Sequence, residues 1–153
     1  MKFTHFKSQK GFTLIELLVV IGILAVLLAI TLIAINPARQ FSQANNTKRA
    51  SDVNAILNGV GQYMVDHKGD IDAIGIPVGT ASAAIVGSGG GQVDFCPNIV
   101  PTYIAQMPTD PQHGHWTDCN DYDTQYSIYE QNGRITVTAT RTELGIPPIS
   151  VTR

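Results

Sequence analysis

The stretch KGFTLIELLVV, residues 10–20, joins a short basic segment to a long apolar one. Glu16 is the single charged residue between Phe12 and Ile35. As an α-helix this segment is about 36 Å long, which is enough to cross the ~30 Å hydrocarbon core of a bilayer. It is longer than the apolar core of a secretory signal, and no convincing small-residue cleavage site follows it. The sequence therefore predicts a membrane-spanning helix with one carboxylate just inside its edge.

Charge and composition limit the function classes. Three lysines precede the apolar segment and three basic residues follow it closely, so the flanking charges do not set its orientation. A leader this short is easily kept in the cytoplasm, which would export the rest of the chain. That remainder is long enough for one compact domain with its own core. The net charge of −2 and the pI of about 6.0 give no basic excess that would indicate nucleic acid.

A proline and a second pattern follow the apolar segment. Pro37 removes a helical hydrogen bond, so it marks a kink or a restart. Beyond it, apolar residues recur at helical spacing and form one stripe, and Lys68-Gly69 supplies a stop signal. This predicts one helix of roughly 50 residues, with a membrane half over residues 12–36 and an amphipathic half over residues 37–69. The stripe consists of Val53, Ile56, Leu57, Val60 and Met64.

The amphipathic half needs an apolar partner, which the remaining residues, 70–153, supply as a sheet. The clearest signal is a hairpin of residues 126–130 and 134–140, joined by a turn at Asn132-Gly133 that suits positive φ. Its second strand alternates, so Ile135, Val137 and Ala139 should face the core. We also expect a short strand at 84–86, an extended segment over 98–107, and the end of regular structure at Pro147-Pro148. The predicted fold class is α+β, a long N-terminal helix on a small antiparallel sheet.

The residues from Lys10 to Glu16 resemble the processing site of type IV prepilins and type II secretion pseudopilins. The resemblance implies that residues 1–11 are a cytoplasmic leader, cut after Gly11 by a membrane-embedded prepilin peptidase that then methylates the new N-terminus, Phe12. It is close from Lys10 to about Ile35, and it becomes generic pilin-like architecture beyond Gly69. It also implies a homo-oligomeric helical filament built at an inner-membrane assembly platform.

Within this resemblance, Phe12 and Glu16 are assembly residues. Cleavage creates a cationic amino group on Phe12 at the membrane edge, and Glu16 of a neighbouring subunit can pair with it once the helices bundle. A carboxylate in an apolar span is costly unless it has such a partner. In some family filaments a stretch between a glycine and a proline unwinds on assembly, and Gly22 and Pro37 would delimit it here.

Cys96 and Cys119 both lie in the part expected outside the cytoplasm. A disulfide between them is the expected state there, whereas two free thiols would go with the opposite orientation. A zinc site of these cysteines with His113 and His115 is the competing interpretation, and a disulfide would consume both thiols.

Asp118, Asp121 and Asp123 offer several oxygens in a short segment, which is the ligand type that calcium takes. A comparable loop binds calcium in the major pseudopilin, after a segment similar to residues 107–111. This chain lacks the tryptophan-glycine continuation and matches no EF-hand, so a solvated acidic loop is the alternative. No cofactor is otherwise indicated. There is no nucleophile elbow and no phosphate-binding loop, and we expect no enzyme.

Three functions follow from the sequence. The first is a structural subunit of a type IV pilus, inserted in the bacterial inner membrane and then assembled into an extracellular filament. The second is a pseudopilin of a periplasmic secretion pseudopilus, with calcium as an option. The third is a binding domain on a single-span anchor. The sequence leaves open the choice between pilus and pseudopilus, between major and minor subunit, and between adhesion, motility and DNA uptake.

Overall fold

A computed structural model describes residues 11–153, so the predicted leader lies outside the described residues except for Gly11. Two long helices come first, α1 (Leu14–Ile35) and α2 (Pro37–Asp66). The contacts between Cα atoms divide the chain after Gln40 into two units. The first contains α1, and the second, Phe41–Arg153, contains most of α2 and the whole sheet.

In its described residues, the first unit consists mainly of the apolar helix α1 and has no buried core. None of the residues of α1 is buried, and its mean hydropathy is 3.2. The helix is long and apolar enough to cross a membrane. It runs without interruption through Gly22. It ends at Asn36, whose φ of 46° is left-handed, and α2 restarts at Pro37. The interruption therefore lies beside the predicted proline, whereas unwinding between Gly22 and Pro37 on assembly stays a prediction.

The second unit has an antiparallel sheet of five strands in its described residues. The strands are β1 (Ala84–Gly87), β2 (His115–Asp118), β3 (Asp121–Gln131), β4 (Arg134–Ala139) and β5 (Ile149–Thr152). The hydrogen-bonded order is β1-β3-β4-β5, and β2 pairs with the start of β3 on the side opposite β1, before the residues of β3 that pair with β4. The predicted hairpin is β3 and β4, in register from Tyr126 opposite Ala139 to Gln131 opposite Arg134. Asn132 and Gly133 both have positive φ, as the turn prediction requires.

The core lies between the sheet and one face of α2. The predicted stripe is confirmed for its first four residues, which are buried, whereas Met64 is only partly buried and Tyr63 is buried in its place. Ile135, Val137 and Ala139 are buried as predicted. Gly59 lets α2 pack closely here, because a Cβ at this position would lie 3.2 Å from the side chains of Ile99 and Ile104, which would have to shift. The four stripe residues are Val53, Ile56, Leu57 and Val60.

The α+β prediction is confirmed, but three local predictions are wrong. Residues 98–107 are not an extended strand, because the chain forms a short helix, α3 (Cys96–Ile99), followed by turns. Pro97 sits in the first turn of this helix, where its missing N–H costs nothing. Regular structure does not end at Pro147-Pro148, since β5 follows and pairs with β4. The strand β3 begins at Asp121 rather than at Tyr126.

Candidate processing and assembly site

The N-terminus of α1 is organised by a reciprocal pair of side chains. The Thr13 hydroxyl oxygen accepts a hydrogen bond from the Glu16 N–H at 3.3 Å. In return, Glu16 Oε2 accepts from the Thr13 N–H and from the Thr13 hydroxyl, both at 2.7 Å. This capping box satisfies N–H groups that the first helical turn leaves without partners. The Glu16 carboxylate is therefore held at the helix end within its own chain.

The capping box leaves room for a second partner. Glu16 Oε1 accepts no hydrogen bond from residues 11–153, and both Glu16 and Phe12 are exposed. A cut between Gly11 and Phe12 would not disturb the box, because Thr13 keeps its N–H and its hydroxyl. The roles of Gly11, Phe12 and Glu16 stay predictions, but their positions are compatible with the predicted chemistry.

The disulfide joins the two predicted cysteines. Cys96 and Cys119 are bonded, with their Cα atoms 5.3 Å apart and a sequence separation of 23 residues. Cys96 is fully buried at the start of α3, and Cys119 lies between β2 and β3. The bond ties the loop region before β2 to the sheet. It also removes the two thiolates that the zinc interpretation required.

The three aspartates of the calcium interpretation have separate local partners. Asp118 accepts the Asn120 N–H, Asp121 pairs with His115 at 3.1 Å, and Asp123 accepts from Gln92 and Gln125. Asp121 and Asp123 lie within β3 rather than in a loop, because the alternation of β3 extends back to Tyr122. Among the described residues no group of three or more potential metal ligands comes together. Calcium binding by these residues stays an untested prediction.

A buried ionic cluster around Arg49 was not predicted from the sequence. The Arg49 side chain is fully buried, and its Nε donates to Asp110 Oδ2 at 2.6 Å. Its Nη1 lies 3.1 Å from Glu143 Oε2 and also donates to Asn46 Oδ1. Its Nη2 donates to Gln112. These contacts join α2 to the loop before β2 and to the loop between β4 and β5.

The backbone around Asp110 makes this geometry possible. Asp110 Oδ1 accepts from the N–H groups of Gln112 and His113, each at 3.0 Å. The turn then closes against β3 at Gly114, where a Cβ would lie 2.6 Å from the Asp110 nitrogen. Only glycine fits this approach. The segment 107–111, which favours a pseudopilin in sequence, thus supplies the carboxylate that neutralises Arg49.

Electrostatics within the Arg49 cluster favour the charged forms. Burial alone would raise the pKa of Asp110, but hydrogen bonds from Arg49 and from the backbone of Gln112 and His113 outweigh it and lower the pKa. The amide of Asn45, followed by Arg49 and Gln112, lowers the pKa of Glu143 against a smaller desolvation effect. The Asp110 hydrogen bond in turn raises the pKa of Arg49.

A sequence signal for this cluster existed. Arg49 lies four residues before Val53 and seven before Ile56, so it continues the apolar stripe of α2. A cation at a core-facing position must find a buried counter-charge. That rule predicts an acidic partner elsewhere in the chain, although it does not say which one.

Comparison with known proteins agrees with the geometry of the N-terminus. A family model described as the prokaryotic N-terminal methylation motif matches residues 6–32. The chain carries a prepilin-type signature. This signature is that of type IV pilins and pseudopilins, and it supports a precursor of that type. It implies processing by a prepilin peptidase and assembly into a filament.

The matched residues cover the Gly11–Phe12 junction and most of α1. Together with the apolar helix, they fit a membrane-anchored precursor. No curated protein and no solved structure matches the chain.

Proposed function

We propose that this chain is a structural subunit of a type IV pilus-like filament. The prepilin is inserted in the bacterial inner membrane with its leader in the cytoplasm, cut after Gly11 and N-methylated on Phe12. It then assembles through its N-terminal helix. One observation carries the proposal: a prepilin-type signature heads an apolar helix of 22 residues, none of which is buried in its own chain. Such a helix needs lipid or other helices around it.

The capping box supports a specific role for Glu16 in assembly. Thr13 of the same chain donates to Oε2, whereas Oε1 accepts no hydrogen bond from residues 11–153 and can accept one from another chain. Cleavage would provide that donor as the α-ammonium group of a neighbour's Phe12. A charge-assisted hydrogen bond of this kind is stronger than a neutral one, and more so away from water.

Glu16→Ala tests the proposal. Membrane insertion should persist, because the segment becomes more apolar, and cleavage after Gly11 should continue. Filament growth should fail, because the α-ammonium group of a neighbour's Phe12 would enter the helix bundle without its counter-charge. The amount of the subunit is measured in two fractions of cells that express the variant, the filaments released by shearing and the membranes.

Glu16→Gln is the matched control, because glutamine keeps the capping box but removes the charge. Glu16→Gln should fail to assemble into filaments, and so should Glu16→Ala. Normal filaments from Glu16→Gln would show that Glu16 is retained for capping, and normal filaments from both variants would refute its role in assembly. A subunit that keeps Met1 and is extracted as a monomer would instead be a binding domain on a single-span anchor.

A pseudopilin is the second candidate, favoured by the similarity of residues 107–111 to a pseudopilin segment. In that case the filament would be periplasmic and part of a secretion machine. Electron microscopy of surface filaments, combined with mass spectrometry of their subunit, separates the two. Surface filaments of the processed chain indicate a pilus, and their absence with normal processing indicates a pseudopilus.

A further inference from the structure

The loop between β4 and β5 presents an apolar side chain in a disfavoured backbone conformation. Leu144 has φ +63° and is followed by Gly145 with φ +68°. Half of the Leu144 side chain surface is exposed. Bulky residues rarely adopt left-handed φ, and Asn or Gly would fit this position with less strain. Strain retained at an exposed apolar residue is typical of functional positions.

The base of this turn is fixed to α2. The Glu143 N–H donates to Asn46 Oδ1 and the Glu143 carbonyl accepts from Asn46 Nδ2, both at 3.0 Å. The Glu143 carboxylate accepts from Asn45 at 3.0 Å and from Arg49 at 3.1 Å. The turn therefore holds Leu144 in one place, which lowers the entropy cost of any contact it makes.

Two further exposed apolar residues belong to the segments that meet at this turn, Ile146 two residues after Leu144 and Phe41 at the start of the helical segment that contacts Glu143. We call Phe41, Leu144 and Ile146 the loop patch. Phe41 is 71% exposed and Ile146 is 40% exposed. Phe41 lies beside the Glu143 contacts, because its neighbour Ser42 donates to Glu143. The loop patch holds three of the five large apolar side chains that are exposed within residues 41–153. Such a concentration marks an interaction surface.

Chain length ties this surface to the membrane. Only residues 36–40 separate Phe41 from Ile35, the end of the candidate span. Even a fully extended connection of this length reaches no more than about 21 Å, and a helical one about 9 Å. Phe41 therefore lies within about 21 Å of the end of the span, and so near the lipid headgroups whenever the span is inserted. Arg39 in the connection and Arg141 in the loop are exposed cations that suit anionic headgroups.

We propose that the loop patch rests on the membrane surface before assembly, with Leu144 and Phe41 in the headgroup region. This docking relies on membrane insertion of α1, which belongs to the proposed function, but adds a second membrane contact made by the folded domain. Its consequence is that assembly must lift the domain from the bilayer as well as extract the span. A surface of this kind combines apolar burial with attraction to anionic lipid.

Fluorescence quenching tests the docking on the full chain. Leu144→Cys carries an environment-insensitive fluorophore, and the native cysteines do not react because they are bonded to each other. Val78→Cys and Val65→Cys are matched controls, since both valines are exposed members of the same unit outside the loop patch. Each labelled chain is placed in nanodiscs of phosphatidylethanolamine and phosphatidylglycerol that contain a headgroup-quencher lipid. Quenching at position 144 should be several-fold stronger than at positions 65 and 78.

Each result separates the docking from the rest of the proposed function. A chain that does not copurify with nanodiscs would refute insertion of α1 and the docking together. A chain that copurifies but shows equal quenching at positions 144 and 78 would refute the docking alone. Labels at position 144 on two chains in one disc could also quench each other. If such self-quenching is seen and disappears when each disc holds one chain, a second copy occupies the loop patch, and the membrane assignment is wrong.

A second variant guards against a labelling artefact. Leu144→Asn suits the left-handed backbone and should fold at least as well as the original chain. Both proteins carry the label at Ile146→Cys, one with Leu144→Asn and one with the original Leu144. Lipid quenching should be weaker in the protein with Leu144→Asn. Unchanged quenching would show that Leu144 does not contact lipid.

Discussion

The apolar helix α1 and the helical face of residues 41–66 illustrate two ways in which a helix finds its partner. All the residues of α1 are exposed, and its apolar side chains occur on every side. The 41–66 part of α2 has an apolar stripe, and that stripe is buried against the sheet. A helix that is apolar on every side must be surrounded by lipid or by helices of other chains, whereas an amphipathic helix buries its apolar face against its own domain.

The two regions also differ in how they handle charge. In α1 the single carboxylate is held at the helix end by Thr13, with one oxygen open to another chain. In α2 the buried Arg49 is neutralised completely by groups of the same domain. One charge therefore serves assembly in our proposal, and the other serves the folding of the domain.

Arg49→Met should have the largest effect on this comparison. It leaves Asp110 buried without its counter-charge, and we expect a loss of about 3–5 kcal/mol in the free energy of unfolding of the domain. Urea unfolding of the full chain in non-ionic micelles measures it. Lys48→Met is the matched control on the same helix, because Lys48 is half exposed and its bridge to Asp52 spans one helical turn, so its loss should cost under about 1 kcal/mol. Equal losses of unfolding free energy in Arg49→Met and Lys48→Met would mean that the buried cluster stabilises the domain no more than an exposed ion pair does.

Leu24→Arg tests the other helix. A cation near the middle of the span costs about 2.5–3.5 kcal/mol on insertion scales, so the fraction of chain resistant to alkaline extraction of membranes should fall. The unfolding of the domain should be unchanged, because Leu24 belongs to the other unit. Val65→Arg places the same charge at an exposed position of α2 and should leave extraction resistance intact. A domain destabilised by Leu24→Arg would contradict the independence of the two regions.

The disulfide should stabilise only the domain. Removing the bond in a Cys96→Ser, Cys119→Ser double variant should lower the free energy of unfolding by about 3 kcal/mol, from the loop-closure entropy of a bridge with this sequence separation. Membrane insertion of the span should not change. In the original chain, alkylation of both cysteines should require prior reduction. Full labelling without reductant would refute the bond and reopen the zinc interpretation.

Acid should weaken the domain through the Arg49 cluster. The pKa values of Asp110 and Glu143 are lowered in the folded state, so their stabilisation is complete above the unfolded pKa and is lost as the pH falls through the folded pKa. The urea midpoint should therefore fall as the pH is lowered below about 5, the range in which unfolded carboxyl groups begin to bind protons. The dependence should be flatter in Arg49→Met, since the main source of the Asp110 shift is gone. An equally steep dependence in both proteins would assign the acid sensitivity to other groups.

Local patterns in the sequence were sufficient for the fold class and for the N-terminal site. The length and apolarity of the segment after Gly11 predict a span, the spacing of the stripe predicts α2, and the Asn132-Gly133 turn predicts the hairpin. These features depend on residues close together in sequence, so their physical causes are visible there. The capping box is also local, since Thr13 and Glu16 are three residues apart.

Only the tertiary structure decided which distant groups meet. The strands β2 and β5 are four residues each and carry weak patterns, so pairing with β3 and β4 determines them. The partners of Arg49 lie 61 and 94 residues away in sequence. The position of Arg49 in the stripe of α2 requires a counter-charge. Which residue supplies it depends on how the turn that contains Asp110 and the loop that contains Glu143 pack against α2. Long-range packing therefore decided the ionic cluster and the loop patch, because no local preference specifies contacts between segments so far apart.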